Sequence, residues 1–216
     1  MNKFMRSGRV IVVGGGVIGA ACAYYLKKSG WETVTVLDRS QFGSGCSHGN
    51  CGFVSPSHVL PLTVPGAIGQ SIKAMISKNS PFSIKPRFDL ALWSWLFQFA
   101  CRCNEKGMLS SAPAIHALLQ ASRRLYDELL AQESFDCEWQ PTGLLFPFRT
   151  QAGIEHHDQT AELLRSSFGI SMLRFAGDDV RDLEPALKSG LAGGWHYPND
   201  AQLRPDKLMS SWRRIL

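Results

Sequence analysis

The chain has 216 residues and a mass of 23.9 kDa, with 44% hydrophobic and 19% charged residues, a globular composition that excludes disordered, collagen-like and coiled-coil classes. At roughly 150 residues per domain, the length fits one domain or a tight pair. The net charge of +5 comes from basic residues spread along the chain, so nothing marks a nucleic-acid arm or a lipid-binding patch. Residues 10–13 are an uninterrupted β-branched run, the pattern of a parallel strand buried on both faces. Gly14, Gly15 and Gly16 end it. Residues 17–28 then place Ile18, Ala21, Cys22, Tyr25 and Leu26 at helical spacing before Gly30, and residues 33–37 read as a second strand ending at Asp38. This is the order and size of a βαβ unit. Lys3, Arg6 and Arg9 ahead of the uncharged run 10–26 mimic a signal peptide, but three glycines interrupt the run and it is short for a membrane span.

Residues 41–57 form a loop rich in Gly, Ser and Cys, followed by Pro56, Pro61, Pro65 and a helix expected over 66–78. Residues 89–105 read as an aromatic helix whose Trp93, Trp95, Phe97 and Phe99 are expected in a domain core rather than on a surface facing a membrane or quinone. Pro113 is expected to start a long amphipathic helix with Ile115, Leu118, Leu119, Leu125, Tyr126, Leu129 and Leu130. A strand over 143–148, a helix over 151–168 stopped by Gly169, and a strand over 170–175 follow. Asp178 is expected to cap a short helix through Leu183, with another strand over 191–197. Pro205 then opens a helix with Leu208, Met209, Trp212, Ile215 and Leu216 on one apolar face. Too few parallel strands are present for an open α/β sheet, so the sequence reads as the first part of a longer protein. That reading leaves the last apolar face exposed and predicts poor solubility without a partner.

The six cysteines form no C-x-x-C pair and are too sparse for a disulfide scaffold, which points to thiols in a reducing, cytoplasmic compartment. His156 and His157 are adjacent, so on a helix they diverge by about 100° and cannot clamp a metal as an i, i+4 pair would. No metal site is expected. The segment Gly14-Gly15-Gly16-Val17-Ile18-Gly19 satisfies G-x-G-x-x-G after a strand and at the start of a helix, with Asp38 at the next strand end. Gly14 permits the tight turn, Gly16 leaves room for a pyrophosphate, and Gly19 lets helix and strand pack closely. The helix amino terminus adds unpaired N–H groups and a positive dipole end. Asp38 suits ribose hydroxyls and would repel a 2′-phosphate. The fingerprint alone leaves FAD and NAD open; the Gly/Ser-rich loop after Asp38, able to lay backbone N–H groups along a longer cofactor, favours FAD.

The segments IVVGGGVIGAACAYYL, VTVLDR (ending at Arg39) and GCSHGNCGFVSPS resemble FAD-dependent amine oxidoreductases of the D-amino-acid oxidase type. Bacterial D-amino-acid dehydrogenases of the small-subunit type and hydroxyproline-epimer dehydrogenases are the most similar groups. Gly143 to Phe146, Leu183 to Leu187, Gly193-Gly194, Pro198 to Asp200 and Arg204-Pro205 add support in the same order. The resemblance implies an α/β fold with a Rossmann-like FAD-binding βαβ start, an inserted mixed α+β substrate or cap domain, and a sheet incomplete at the C-terminus. The expected division is 1–60 for the FAD-binding unit and flavin loop, 61–190 for the cap region, and 191–216 for a truncated return. The implied activity is oxidation of the CH–NH bond of a D-amino acid, or of a cyclic secondary amine, by hydride transfer to flavin N5. The alternative is a non-catalytic flavoprotein fragment, or a subunit completed by another chain. The expected cofactor residues are Gly14, Gly15, Gly16, Val17, Ile18, Gly19, Asp38, Arg39, Ser47, His48, Asn50 and Gly52. Relatives that attach flavin through a histidine carry two residues between it and a glycine; here three separate His48 from Gly52, which argues against covalent attachment. No residue is assigned to catalysis, because family members are about twice this length and keep most substrate-carboxylate ligands in the other half. Expected partners are an amino-acid substrate and an electron acceptor, including a quinone-linked one at the inner face of the plasma membrane.

Overall fold

In the computed structural model, residues 6–69, 71 and 87–216 are described. Strand β1 (Arg6–Val13) pairs in parallel with β2 (Trp31–Leu37), and α1 (Val17–Lys28) crosses between them. The register couples Val10 to Val34 and Val12 to Val36 on one face, and Ile11 to Thr35 and Val13 to Leu37 on the other. The first face packs on α1: a Cβ built on Gly19 would lie 3.5 Å from Val12 Cγ1. The second face leaves Ile11 60%, Val13 85% and Leu37 50% exposed. The expectation of a strand buried on both faces therefore fails on this side.

β3 (Phe53–Val54) pairs antiparallel with β7 (Ala201–Gln202). A second, three-stranded antiparallel sheet has the order β4 (Leu144–Phe148), β6 (Gly193–Tyr197), β5 (Leu173–Ala176). Residues 6–55, 123–154 and 171–216 gather into one compact unit around a core containing Ala20, Tyr24, Leu129, Cys137, Leu208 and Trp212. Helix α5 (Pro205–Ile215) contributes most to it: Leu208 is 4% and Trp212 2% exposed. The expectation that this face lacks a partner is overturned. Trp212 meets Tyr24 at 5.5 Å and Phe135 at 4.9 Å between ring centroids, both edge-on.

The second unit comprises residues 56–122 and 155–170. It holds α2 (Leu90–Arg102), the first part of α3 (Glu105–Gln132) and most of α4 (Gln151–Phe168). Ala112, Ala161, Leu164 and Ile170 are buried, and His116 meets Phe168 edge-on at 5.6 Å. Asp89 caps α2 by accepting from Leu92 N. No residue of α2 is buried, and Trp93, Trp95 and Phe97 are 54%, 58% and 70% exposed, which corrects the expectation of a core helix. Its half-buried side is instead Leu92, Leu96, Phe99 and Ala100.

Two helix starts also differ. α3 begins at Glu105 with Pro113 inside it; Asn104 Oδ1 accepts from Gly107 N and supplies the start signal. Residues 177–182 form a 3₁₀ turn that Asp178 does not cap: its carboxylate accepts from Gly190 N and Leu191 N, 2.9 Å each, tying two segments together. Most of the helix expected over 66–78 lies outside the described residues. No described helix is long and apolar enough to cross a membrane.

Candidate functional site

The glycine-rich turn joins β1 to α1. Gly14 has φ +106°, a conformation that favours glycine, and donates to Leu37 O at 2.7 Å, tying the turn to the end of β2. Gly16 is the N-cap of α1 in extended conformation and has no side chain to satisfy the first helical turn. A Cβ on Gly19 would collide with Gly14 O, so only glycine lets α1 start this close to the strand.

Three further groups converge on the turn. Asp38 Oδ2 accepts from Gly15 N at 2.6 Å, while Oδ1 accepts from Ser40 N at 2.8 Å. These bonds, from Ser40 first and then Gly15, hold the Asp38 carboxyl below the usual carboxylate range. Ser47 Oγ accepts from Val17 N at 2.9 Å, bringing the loop over the amino terminus of α1. Gly43 N donates to Gly15 O at 2.9 Å, and a Cβ on Gly15 would sit 2.8 Å from the Phe42 ring. A Cβ on Gly16 would lie 3.1 Å from Ser47 Oγ. The result is a glycine turn at a helix amino terminus that contributes no side chains of its own but is contacted by three: Asp38 on Gly15 N, Ser47 on Val17 N, and the Phe42 ring beside Gly15.

Gly14, Gly15, Gly16, Val17, Asp38 and Ser47 are thus brought together, with Gly19 beneath them. Ile18 is 75% exposed beside the turn. Asn50 and Gly52 form the far arm of the loop: Asn50 Oδ1 accepts from Gly52 N at 2.7 Å, and Gly52 O accepts from Leu203 N at 2.9 Å. Gly52 has φ +79°, and a Cβ there would overlap Leu203 O, so this arm is pinned by the backbone of residue 203. Arg39 and His48 are exposed; the His48 backbone N–H closes a turn onto Gly45 O at 3.0 Å. Sequence reasoning missed Ser40 and Gly43. Ser40 had a signal, since a serine two residues after an aspartate is a common local acceptor–donor pair. Gly43 had none: its reason is Met209, whose Cβ would be 2.8 Å from a Cβ at Gly43.

These residues fit a dinucleotide. The glycine turn at the α1 amino terminus is the backbone arrangement a pyrophosphate uses, the first turn of α1 contains no acidic residue, and Asp38 has lone pairs left for ribose hydroxyls; Gly15 N and Val17 N are engaged by Asp38 and Ser47, which a bound pyrophosphate would displace. A depression of about 660 Å³ elsewhere in this unit is lined by Val34, Val36, Phe42 and Leu216 but by none of the fingerprint glycines, and is not the cofactor cradle. No group of His, Cys, Asp or Glu suited to a metal occurs among the described residues.

Residues 9–216 match the family described as DAO, FAD dependent oxidoreductase. A D-amino acid dehydrogenase of Methylobacterium nodulans is 34% identical over 197 residues, which cover 89% of this chain and 46% of that protein. Among solved structures, glycine oxidase from Bacillus cereus superposes with a TM-score of 0.60 at 18% identity, over 95% of this chain and 43% of its own. The L-α-glycerophosphate oxidase of Mycoplasma pneumoniae, solved with FAD bound, gives 0.58 at 14% identity, over 96% and 42%. The chain spans less than half the length of each of these proteins.

Proposed function

The chain belongs to the DAO family of FAD-dependent oxidoreductases, and from that premise we propose that it forms the FAD-cradling portion of an enzyme oxidising the CH–NH bond of a D-amino acid or cyclic secondary amine. The observation that carries this is the cradle itself: Gly14, Gly15 and Gly16 under the Ser47 loop, with Asp38 bound to Gly15 N. FAD supplies the two-electron acceptor when bound. Gly16 N and the first turn of α1 would hold the pyrophosphate, and Asp38 would accept from the adenosine ribose. Asn50 and Gly52 would shape the loop arm that lies along the flavin, and Ser47 positions that loop over the start of α1. His48 binds no flavin covalently. Arg39, exposed next to Asp38, would lie near the ribose. No residue of this chain is given a role at the amine. The exposed Trp93, Trp95 and Phe97 on α2 support electron delivery to a carrier at a membrane surface, testable by co-sedimentation with lipid vesicles.

The test is a visible spectrum of the purified chain after FAD addition and desalting. Retained flavin bands, released on denaturation and absent from a Gly16→Val variant, support the reading. A colourless chain that binds NAD by calorimetry would replace FAD with NAD. Turnover of D-amino acids with an artificial electron acceptor then tests the activity.

A further inference from the structure

Side chains along a strand alternate between faces, and the two residues of β3 meet different surroundings. Val54, opposite Ala201, points into the core, the two being 8% and 1% exposed. Phe53, opposite Gln202, points the other way and is 47% exposed. Gln202 is bridged in turn to Gln140, with which its backbone exchanges two hydrogen bonds, of 2.9 and 3.0 Å. Direct opposition in both pairs puts Phe53, Gln202 and Gln140 in one row on one face. Gln202 Nε2 donates to Gln140 Oε1 at 2.6 Å. Gln202 Oε1 and the Gln140 amide nitrogen are left over, an acceptor and a donor side by side, and among the described residues neither has a partner. The row itself carries no charge. Two residues on, Arg204 is paired with Glu138 at 3.6 Å and with Asp206 at 2.7 Å.

We propose that Phe53, Gln202 and Gln140 form the wall that selects the side chain of the amine, and that this wall takes an uncharged polar group, a hydroxyl or a carboxamide. The inference goes beyond the reading above, which gives no residue a role at the amine, and rests on its placement of the Gly52 arm along the flavin. Phe53 is the next residue of that arm. It stands six positions after Ser47, which bonds the start of α1, so no more than about 20 Å of chain separates the two. An amine brought to the flavin there would lay its carbons on the Phe53 ring and its side-chain end against the two amides. A hydroxyl or carboxamide can donate to Gln202 Oε1 and accept from the Gln140 nitrogen. A carboxylate would meet the Gln202 oxygen with like charge. A hydrocarbon would strip water from both amides and bond neither.

Placement is tested first, with no amine present. Phe53→Trp should quench the emission of bound FAD severalfold, by electron transfer from the indole to the flavin. Selection is tested by mixing the FAD-loaded chain anaerobically with D-serine, D-asparagine, D-leucine and D-glutamate and following loss of the oxidised flavin bands. D-Serine and D-asparagine should half-saturate the reduction at concentrations about tenfold below the other two, because only they satisfy both amides. Gln202→Leu should erase that preference in half-saturation while leaving the maximal rate unchanged. Gln140→Leu, at an exposed position, should do the same and stands in if circular dichroism shows Gln202→Leu misfolded. In a yellow chain, an unquenched Phe53→Trp, equal treatment of the four amines, a preference that both glutamine variants keep, or no bleaching by any amine each overturns the proposal and leaves the cofactor reading standing. A colourless chain sinks the cofactor reading, and this proposal with it.

Discussion

At Gly19 a single hydrogen atom decides how closely helix and strand approach, because the neighbour a methyl would meet is the carbonyl oxygen of Gly14, part of a backbone already bonded to β2. Neither side can yield cheaply. Gly19→Ala is therefore expected to lower stability by about 1–3 kcal/mol, the usual range for overpacking, despite the better helix propensity of alanine. Urea unfolding measures it, and a neutral result would mean α1 stands further from β1 than described. Gly16→Ala differs in kind: its Cβ would press on the Ser47 hydroxyl at 3.1 Å, which a rotamer change can relieve, so it should weaken cofactor retention more than folding. This separation of effects was legible in the sequence only in part. The spacing of Gly14, Gly16 and Gly19 assigns each a purpose, but that Ser47 and Asp38 both bond to the turn depends on where a loop returns, which no local pattern encodes.

Helix α5 places Leu208, Met209 and Trp212 in the core of its unit. Trp212 is 2% exposed between Tyr24 and Phe135, yet its indole Nε1 has no acceptor among the described residues. Trp212→Ala should cost about 3–5 kcal/mol. Trp212→Phe should cost far less, because it removes the unsatisfied donor along with part of the ring. Thermal melts of the two variants decide this, and equal losses would show that the indole nitrogen is bonded after all. In α4 the determinant is charge. Burial, above all, pushes the His157 imidazole below its usual value near 6.5, with Asp158 opposing and His156 and His58 reinforcing. The unfolded chain then takes up the proton first, so stability is complete above about 6.5 and falls as pH drops toward the lower folded value. His157→Gln should flatten that limb of a stability–pH curve.

The strongly periodic elements, α1 and α4 above all, were readable because each repeats one pattern. α2 was misread because its aromatic residues lie on both sides of a helix whose inward stripe is Leu92, Leu96 and Phe99. Pro113 was misread as a start because the true signal, the Asn104 side chain, lies nine residues earlier.

Across the whole molecule, order is distributed unevenly. β6 is paired on both sides, with Gly193 and Gly194 buried and Trp195 and Tyr197 only 4% and 3% exposed. β1 is paired on one side and wet on one face. Hydrogen exchange should accordingly find the slowest amides in β6 and much faster exchange along β1. Equal protection would mean that something already covers β1 in solution. The α/β class and the opening βαβ unit could be inferred from sequence. The antiparallel β4–β6–β5 sheet could not, since its order joins residues whose pairing depends on long-range closure rather than on periodicity.

The stitching of the loop to the end of the chain has a consequence in time. Gly52 is bonded to Leu203, Phe53 and Val54 pair with Gln202 and Ala201, and Gly43 sits against Met209. During synthesis at about 5–20 residues per second, the ribosome reaches those anchors roughly 10–40 s after the glycine turn has been made. The nascent βαβ unit must wait through that interval with its loop unanchored. Slower decoding between residues 55 and 200 would prolong the exposure of the half-built cradle to proteases and chaperones, while leaving the finished fold unchanged.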